Sequence, residues 1–441
     1  MSTDDVKTIE PLSGPLSGSC VVPGDKSISH RAVLFSAMAE GASRLSGVLD
    51  SSDVRASINA VRKLGAEVTL EKQPDGSLSG GVVGWGAKGP EQPDGPIYCA
   101  NSGTTARLLM GILAPWDIEV EITGDESLSR RPMRRITAPL MKMGVSFDPA
   151  GAETLPIVER GTRDLRAISY DSPMASAQLK TAVLLAGVYA NGTTTVNEPS
   201  TSRNHTELML PEFGVETTAS ELSASVNGPA ALKSCEIVVP GDPSSAAFLI
   251  CAALLKKGSA IQIENVSLNT ARTGFFRTLE RMGADIEVHR TGSSGKEPFG
   301  VMSACYSGKL RGCEVPGSKI ASLVDEVPVL ALVAAFARGV TVFRDAGELR
   351  AKETDRLTAV RNGLAQLGVD SWIEGDDLFV EGNPDLEIPD GIVFDSLGDH
   401  RLAMTWSLVG LTGEKPVGIK NFSCVDVSYP DFLKDIERLV R

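Results

Sequence analysis

A long phrase near the start of the chain recurs about 217 residues later, and this repeat constrains the fold more than any other feature. The first copy, VVPGDKSISHRAVLFSAMAEG, ends at Gly41, and the second, VVPGDPSSAAFLICAALLKKG, ends at Gly258. Both copies keep a Pro-Gly pair before a helix-like segment, whereas Lys26 and Arg31 occur only in the first. The two copies therefore predict a shared scaffold whose differing residues carry the chemistry.

Two shorter phrases recur in a fixed order along the whole chain. One opens with small polar or charged residues and is then apolar nearly all round, which is typical of a buried helix. Its six examples are SISHRAVLFSAMAEG, SGTTARLLMGILA, SAQLKTAVLLAG, SSAAFLICAALLKKG, DEVPVLALVAAFARG and DHRLAMTWSLVGLTG. The other phrase is an amphipathic helix-like segment that ends in a glycine before an extended segment. Glycines that fit the positive φ after a helix end are Gly65, Gly144, Gly214, Gly283 and Gly368.

These phrases predict six copies of a unit that contains one buried helix, one amphipathic outer helix and several strands. Six units divide into two sets of three, and 441 residues are too many for one ordinary core. We therefore predict an α/β protein in which residues 23–240 form a first three-repeat domain, and residues 1–22 plus 241–441 form a second. The Pro-Gly pairs at 23–24 and 240–241 are the predicted hinge points. Coincidence in a glycine-rich α/β chain is the alternative.

Composition excludes several functions. The chain carries 43 Lys and Arg against 56 Asp and Glu, a net charge of −13, which argues against a general nucleic-acid or anionic-membrane binder. No apolar run is long enough to cross a bilayer, and the acidic N-terminal segment does not resemble a signal peptide. The seven cysteines are scattered and never form CxxC, which indicates free thiols in a reducing compartment, so we expect a cytoplasmic protein without a bound metal.

Basic residues nevertheless cluster where helices are predicted to begin. The first N–H groups of a helix lack intrahelical partners and attract anions. Lys26 and Ser27 lie at such a start with Arg31 one turn further, and His400 and Arg401 open another buried helix. If six such ends converge between two domains, the cleft binds anions despite the negative net charge.

Each motif alone also has an ordinary explanation. Ser27 can act as a helix cap, and Asp325 with its neighbour Glu326 can simply cap the helix dipole of the following apolar segment. Lys352 and Arg356 are predicted to share a helix face at i, i+4, which fits a solvent-exposed ion-pair run.

In SLSRRPMRR, Pro132 is predicted to open the following helix.

Taken together, PGDKSISHRA, NSGTTARLL, RRPMRR, SAQLKTAVLLAG, SRNHTE, PGDPSSAAF, DEVPVLA, ELRAKETDR and GDHRLAM resemble the EPSP synthase family, the 3-phosphoshikimate 1-carboxyvinyltransferases. The motifs occur in family order from about residue 10 to the C-terminus. The resemblance implies an enolpyruvyl transferase-like fold: two domains, each of three βαβαββ units around buried helices, with the active site in a cleft that closes around the substrates.

The resemblance also implies the reaction. The enolpyruvyl (carboxyvinyl) group of phosphoenolpyruvate is transferred to the 5-hydroxyl of shikimate 3-phosphate by addition and elimination, with release of phosphate, in the shikimate pathway of aromatic amino acid biosynthesis. The implied partners are these two small molecules, with no cofactor, metal, nucleic acid or membrane, and the protein is expected to be a monomer. Gly103 is retained, which implies room for the inhibitor glyphosate.

Site residues are carried over by motif. The implied shikimate 3-phosphate set is Lys26, Ser27, Arg31, Ser176, Ala177, Gln178, Arg203, Asp325 and Lys352. The implied phosphoenolpyruvate set is Lys26, Gly103, Arg131, Gln178, Arg356 and Arg401. By resemblance, Asp325 is the base toward the 5-hydroxyl, Glu353 and Lys26 transfer protons around C3, and His400 supports them.

Three positions depart from common family patterns. Ala100 stands where glycine is usual, Asn204 replaces an aspartate, and Val427 stands where some members carry a lysine. Two other functions remain open. A UDP-N-acetylglucosamine enolpyruvyl transferase normally has Asn after the motif lysine and a mobile-loop cysteine, whereas Ser27 follows Lys26 here. A non-catalytic anion-binding scaffold would reuse the fold without turnover.

Overall fold

Six small sheets with their flanking helices make up the regular structure of residues 5–151 and 153–440, which a computed structural model of the chain describes. The contacts divide the chain into two units. The first, here called the first domain, contains Pro23–Pro240 and Ser293–Glu297. The second domain contains the chain up to Val22, Gly241–Gly292 and the chain from Pro298 onward. Each domain has its own hydrophobic core.

Strands and helices alternate along the described chain. The strands are β1 (Val6–Ile9), β2 (Ser17–Val21), β3 (Glu40–Val48), β4 (Glu67–Lys72), β5 (Leu78–Trp85), β6 (Ile97–Tyr98), β7 (Glu119–Thr123), β8 (Ser146–Asp148), β9 (Ile157–Arg160), β10 (Ser169–Asp171), β11 (Gly192–Asn197), β12 (Thr217–Ala219), β13 (Ser223–Gly228), β14 (Glu236–Val238), β15 (Ala260–Ser267), β16 (Asp285–Ser294), β17 (Glu297–Cys305), β18 (Glu314–Val315), β19 (Gly339–Phe343), β20 (Ser371–Glu374), β21 (Asp377–Gly382), β22 (Val393–Asp395) and β23 (Val417–Lys420). The α-helices are α1 (Lys26–Met38), α2 (Ser52–Lys63), α3 (Gly103–Leu113), α4 (Glu126–Ser129), α5 (Arg134–Met143), α6 (Ala177–Gly187), α7 (His205–Met209), α8 (Pro243–Leu255), α9 (Gly274–Arg281), α10 (Gly317–Ile320), α11 (Val327–Ala335), α12 (Arg356–Gln366), α13 (His400–Thr412) and α14 (Phe432–Arg438). Short 3-10 helices cover Gly86–Lys88, Leu210–Phe213, Ala346–Ala351 and Phe422–Val427.

Three sheets show the complete repeat in consecutive sequence. In β6-β7-β9-β8, the first pair is parallel and the other two pairs are antiparallel, and the chain order is βαβαββ around α3 and α5. The sheets β10-β11-β13-β12 and β18-β19-β21-β20 have the same order. The predicted α/β fold class with βαβαββ units is confirmed.

The other three sheets are completed by strands that are distant in sequence. β14 pairs in parallel with β3, and β2 pairs in parallel with β15. The last unit has three strands, in which β1 pairs antiparallel with β23. β14, near the C-terminal end of the first domain, is therefore the edge strand of that domain's first sheet. The N-terminal strands β1 and β2 complete two sheets of the second domain.

The two kinds of predicted helix are both present. The buried helices have almost no exposed face; from Pro243 to Leu254, every residue of α8 is buried. Most outer helices end at the predicted glycines, whose φ angles lie between 75° and 113°. Only the helical segment before Gly214 departs from the pattern, because the short α7 continues there as the 3-10 helix Leu210–Phe213. Within the described residues, none of the helices combines the length and the apolar character needed to cross a membrane.

Two local predictions about helix starts were wrong. Pro132 does not open α5, which begins at Arg134 with Met133 at the N-cap position; the Met133 N–H donates to the Glu153 carbonyl at 2.7 Å. Lys352 and Arg356 do not share a helix face. The Asp355 carboxylate accepts the Thr358 N–H at 3.1 Å and thereby starts α12 at Arg356, after Lys352.

A buried carboxyl in β9 makes stability depend on pH. Both side-chain oxygens of Glu159 are buried and accept no hydrogen bond among the described residues, and this burial raises its pKa well above the usual 4.5. The folded protein therefore keeps a proton that the unfolded chain releases. The contribution of this group to stability is present below about pH 4.5 and is lost as the pH rises toward the folded-state pKa.

We expect Glu159→Met to raise the free energy of unfolding at pH 8 by about 1–3 kcal/mol, because an apolar side chain of similar shape removes the unpaired buried group. Chemical denaturation of the wild type and the variant at pH 5 and pH 8 measures the effect. The gain should be smaller at pH 5. An equal gain at both pH values would show that ionisation of this carboxyl does not limit stability.

Candidate functional site

Most predicted site residues lie at the start of a helix or in the loop just before it. Those in the first domain are Lys26, Ser27, Arg31, Gly103, Arg131, Ser176, Ala177, Gln178 and Arg203, and those in the second domain are Asp325, Lys352, Glu353, Arg356, His400 and Arg401. Each domain therefore contributes its own cluster.

Lys26 opens α1 beside a carboxylate. The helix starts here because Asp25 accepts the Ile28 N–H at 2.9 Å. The Lys26 ammonium lies 2.5 Å from Asp53 Oδ2, an oxygen in the first turn of α2, and its side chain is 21% exposed. A fixed ammonium that remains partly open to solvent can bind an anion or transfer a proton.

Ser27, Arg31 and Arg203 form one group of the first domain. The Arg31 guanidinium donates to Thr206 Oγ1 at 2.9 Å, to Thr181 Oγ1 at 2.8 Å and to the Ser27 carbonyl at 3.0 Å. Arg203 Nη1 lies 3.5 Å from Ser27 Oγ. Burial lowers the pKa of Arg31 to about 10, so it stays charged at neutral pH. The hydrogen-bond partners of the Arg31 guanidinium are neutral oxygens, and nearby carboxylates such as Glu207 offset part of its charge.

Gly103, Arg131 and Gln178 form a second group, which is connected by Arg107. Arg107 Nη1 donates to Gln178 Oε1 at 2.6 Å, and Arg107 Nη2 donates to the Pro132 carbonyl at 3.2 Å. A Cβ on Gly103 would lie 3.1 Å from Arg107 Nη1 and 3.5 Å from Arg131 Nη1. The missing side chain at Gly103 therefore keeps space next to two guanidinium groups.

The turn before α3 holds Arg131 in place. Arg131 Nη2 donates to Asn101 Oδ1 at 2.6 Å, and Asn101 Nδ2 donates to Asp125 Oδ2 at 2.8 Å. The turn passes through Ala100 with a φ of 50°, a left-handed conformation that costs an alanine about 1–2 kcal/mol. Glycine adopts this conformation without that steric cost.

We expect Ala100→Gly to stabilise the protein by about 0.5–1 kcal/mol, because glycine adopts positive φ without steric cost while it loses more backbone entropy on folding. Thermal unfolding measures the change. Gly95, which lies before β6, has open space around the position of a Cβ, so Gly95→Ala is a control for a glycine-alanine exchange at a site without positive φ. If Ala100→Gly destabilised the protein, the left-handed backbone at Ala100 would not be strained.

In the second domain, one buried arginine connects three carboxylates. Arg356 Nε donates to Asp399 Oδ2 at 2.7 Å, Nη1 to Asp325 Oδ1 at 3.0 Å and Nη2 to Glu353 Oε2 at 2.6 Å. Burial would lower the pKa of Arg356, but the charges of these carboxylates outweigh it and raise the pKa above its usual value. These carboxylates already accept hydrogen bonds from all three nitrogens of the guanidinium. An anionic ligand would therefore have to displace one of them or share its hydrogen bond.

Arg401 lies next to the same cluster. Its Nη2 is 3.5 Å from Asp325 Oδ2 and its Nη1 is 3.9 Å from Glu326 Oε1. Glu326 accepts a hydrogen bond from Ser244, and burial raises its pKa, against the opposing effect of Arg401. Glu326 occupies the N-cap position of α11 without a side-chain capping bond. Glu326 therefore makes no side-chain capping bond to α11, while its place at the start of the helix still fits an interaction with the helix dipole.

Lys352 and His400 are less tightly connected to this cluster. Lys352 Nζ lies 2.6 Å from Glu348 Oε1 and its side chain is 20% exposed, which fits the exposed ion pair considered as the alternative. His400 is the first residue of α13 and is buried.

The ends of several buried helices are already occupied by carboxylates of the chain. Asp25 caps α1, Asp242 accepts the Ser244 N–H at 2.8 Å, and Asp399 accepts the Arg401 N–H at 2.9 Å. At each of these helix starts, a carboxylate of the chain already accepts one N–H. A bound anion would be held mainly by the cationic side chains beside them.

Several polar residues of the two clusters were not predicted from the sequence as site residues. They are Asp53, Arg107, Lys180, Glu198, Glu207, Asp242, Ser244, Arg272 and Asp399. A sequence signal existed for six of them, since they lie inside motifs that carried the resemblance: Arg107, Lys180, Glu207, Asp242, Ser244 and Asp399. The partners of the others come from distant segments.

The architecture is that of the enolpyruvyl transferases. The structure superposes on the enolpyruvyl transferase NikO from Streptomyces tendae with a TM-score of 0.77, at 20% identity, over 98% of this chain and 97% of that chain. The likeness to this protein shows the fold alone.

The particular family follows from closer similarities. The chain belongs to the EPSP synthase (3-phosphoshikimate 1-carboxyvinyltransferase) family, whose model matches residues 11–436. It is 42% identical over 428 residues to a 3-phosphoshikimate 1-carboxyvinyltransferase of Bacillus pumilus, covering 97% of this chain and 98% of the relative. A protein of the same name from Parvibaculum lavamentivorans is 44% identical, with 96% and 94% covered. An EPSP synthase structure from Acinetobacter baumannii gives a TM-score of 0.87 at 37% identity, with 99% and 98% covered.

Proposed function

We propose that this protein is a transferase that moves the enolpyruvyl group of phosphoenolpyruvate to the 5-hydroxyl of shikimate 3-phosphate and releases phosphate. The observation that carries the proposal is the family match across residues 11–436. The clusters of Lys and Arg at helix starts support it, because both substrates are anions and need cationic partners.

The first domain is proposed to bind shikimate 3-phosphate. Arg31 and Arg203 meet at Ser27, where a phosphate can accept hydrogen bonds from guanidinium and hydroxyl groups. Ser176 caps α6, and Ala177 and Gln178 begin it. This helix end is proposed to contact the substrate as well. Lys352 and Asp325 are the proposed contacts from the second domain.

Phosphoenolpyruvate is proposed to bind between the second group of the first domain and the arginines of the second. Gly103 leaves space beside Arg131, and Gln178 is fixed by Arg107. Arg356 and Arg401 would contribute cations from the second domain, and Lys26 would contact both substrates. In this proposal the two clusters act as one site in a cleft that closes around the substrates and excludes water.

The proposed mechanism needs positioned proton transfer and no redox or group-carrying cofactor. Asp325 would accept the proton of the 5-hydroxyl as its oxygen attacks C2 of phosphoenolpyruvate. Arg356 and Arg401 lie 3.0 Å and 3.5 Å from the two Asp325 oxygens and fix their orientation. Lys26 and Glu353, supported by His400, would deliver a proton to C3 and later remove one as the C2–O bond to phosphate breaks.

The setting proposed for this reaction is a cytoplasmic monomer. All seven cysteines are free in the structure, which fits a reducing compartment.

Release of inorganic phosphate tests the proposal. We expect the protein to release phosphate only when shikimate 3-phosphate and phosphoenolpyruvate are both present, and glyphosate to compete with phosphoenolpyruvate. Release with UDP-N-acetylglucosamine in place of shikimate 3-phosphate would support the related transferase instead. Binding of both substrates without phosphate release would support a non-catalytic scaffold. Either result would overturn the proposed function.

A further inference from the structure

A buried ion-pair network lies next to the residues proposed to bind shikimate 3-phosphate. Lys180 Nζ is 2.7 Å from Glu198 Oε2 and 2.8 Å from Glu207 Oε1. The three side chains are only 3–6% exposed. Burying three charges is costly unless they are paired and hydrogen-bonded, and a paired network of this kind often adds little net stability over apolar side chains.

Glu198 differs from Glu207 in its hydrogen bonds to groups other than Lys180. Glu198 Oε1 accepts the backbone N–H of Ser176 at 3.0 Å, and Glu198 Oε2 accepts the Ser202 hydroxyl at 2.9 Å. Ser176 is the N-cap of α6, and Ser202 precedes Arg203. One carboxylate therefore connects two loops that are separated by 26 residues and that both carry proposed shikimate 3-phosphate ligands.

The position of Glu198 is fixed at its backbone as well. It follows β11 directly, and its N–H donates to the Leu222 carbonyl at 2.8 Å. A residue held by the sheet on one side and by Lys180 on the other can serve as a rigid reference for flexible loop groups. Its negative charge would disfavour direct contact with an anionic substrate, and Lys180 offsets that charge.

We propose that Glu198 is a positioning residue for the shikimate 3-phosphate subsite, which fixes the Ser176 and Ser202–Arg203 loops relative to each other. This inference rests on the proposed function. Without the carboxylate, both loops lose their shared acceptor, and the hydroxyl and guanidinium donors no longer point at one phosphate. The protein should therefore lose affinity for shikimate 3-phosphate and keep its affinity for phosphoenolpyruvate.

The test compares Glu198→Gln with Glu207→Gln. Both variants replace one of the two carboxylates on Lys180 with an amide of the same shape. Only at Glu198 does the loss of one acceptor oxygen also disturb the bonds to Ser176 and Ser202. Calorimetric titration with shikimate 3-phosphate alone gives the Kd, phosphate release gives KM for each substrate, and thermal unfolding gives the change in stability.

We expect Glu198→Gln to raise the Kd and the KM for shikimate 3-phosphate at least tenfold. The KM for phosphoenolpyruvate should change less than threefold. Glu207→Gln should lower the Tm by a similar amount and change the shikimate 3-phosphate Kd less than threefold. Ser202→Ala, which removes one contact and keeps the ion pairs, should weaken binding two- to fivefold and serves if Glu198→Gln does not fold.

Equal losses of affinity in Glu198→Gln and Glu207→Gln would overturn the inference, because the network would then act only on stability. An unchanged Kd in both Glu198→Gln and Ser202→Ala would overturn it too. The wild-type control separates the two proposals. Absent phosphate release by the wild type contradicts the proposed function, whereas normal wild-type turnover with unaffected variants contradicts only the role of Glu198.

Discussion

Replacing Arg356 with methionine is expected to lower the free energy of unfolding by about 3–5 kcal/mol, because it leaves buried carboxylates without their shared cation. Arg356 is 1% exposed and binds Asp399, which is fully buried, together with Asp325 and Glu353. The variant should also lose nearly all phosphate release, since Asp325 and Glu353 are the proposed proton-transfer groups. Denaturant unfolding and the phosphate assay measure the two effects.

Arg350→Met is the matched control for this prediction. Arg350 lies six residues away and also contacts two carboxylates, those of Asp355 and Asp376, but all three side chains are substantially exposed. We expect little change in stability or turnover from this variant, because water and salt screen exposed ion pairs. A comparable drop in both variants would contradict a special role for the buried cluster. A stable and fully active Arg356→Met protein would contradict it more strongly.

Replacing Lys26 with methionine is expected to lower kcat/KM for both substrates by about 10²–10⁴-fold, the usual contribution of a positioned proton-transfer group. The Lys26 ammonium is held 2.5 Å from Asp53 Oδ2 at the start of α1, and its side chain is 21% exposed. It is the residue proposed to contact both substrates. Steady-state phosphate release, with each substrate varied in turn, measures the loss.

Lys72→Met controls for the removal of a lysine charge. Lys72 also faces an aspartate, Asp50, at 3.7 Å, but its side chain is 63% exposed and lies on β4. Its replacement should leave both kinetic constants unchanged. If Lys26→Met retained more than a tenth of wild-type kcat/KM, proton transfer by Lys26 would be excluded.

The sequence was most informative where local chemistry decides the structure. The glycines that end outer helices, such as Gly144 with a φ of 113°, were predicted because a left-handed residue after a helix strongly favours glycine. The buried helices were predicted because α8 and α11 are apolar on every face. Both signals lie within a few consecutive residues.

Strand pairing between distant segments could not be predicted in the same way. β14 joins β3, and β2 joins β15, across about 200 residues or more, and β1 completes the last sheet beside β23. The joining strands β1, β2 and β14 are each five residues or shorter. A short edge strand carries little pattern of its own, and its partner is selected by the packing of the whole domain.

The hydrogen-bond partners of the site residues were difficult to predict for a related reason, since many of them are distant in sequence. Resemblance assigned Arg356 to a substrate, but only the fold shows that Asp399, 43 residues further along the chain, accepts two of its hydrogen bonds. Glu198 had no motif of its own, although it holds two loops. A motif identifies the residues that face a ligand, whereas the residues that orient them depend on tertiary contacts.

We propose that Arg203 of the first domain binds shikimate 3-phosphate and that Arg401 of the second domain binds phosphoenolpyruvate. A crossed measurement of Arg203→Ala and Arg401→Ala tests it most directly, with KM for each substrate determined by phosphate release. We predict that Arg203→Ala raises KM for shikimate 3-phosphate at least tenfold and Arg401→Ala raises KM for phosphoenolpyruvate at least tenfold, each with less than threefold change for the other substrate. Equal losses for both substrates in both variants would contradict the claim.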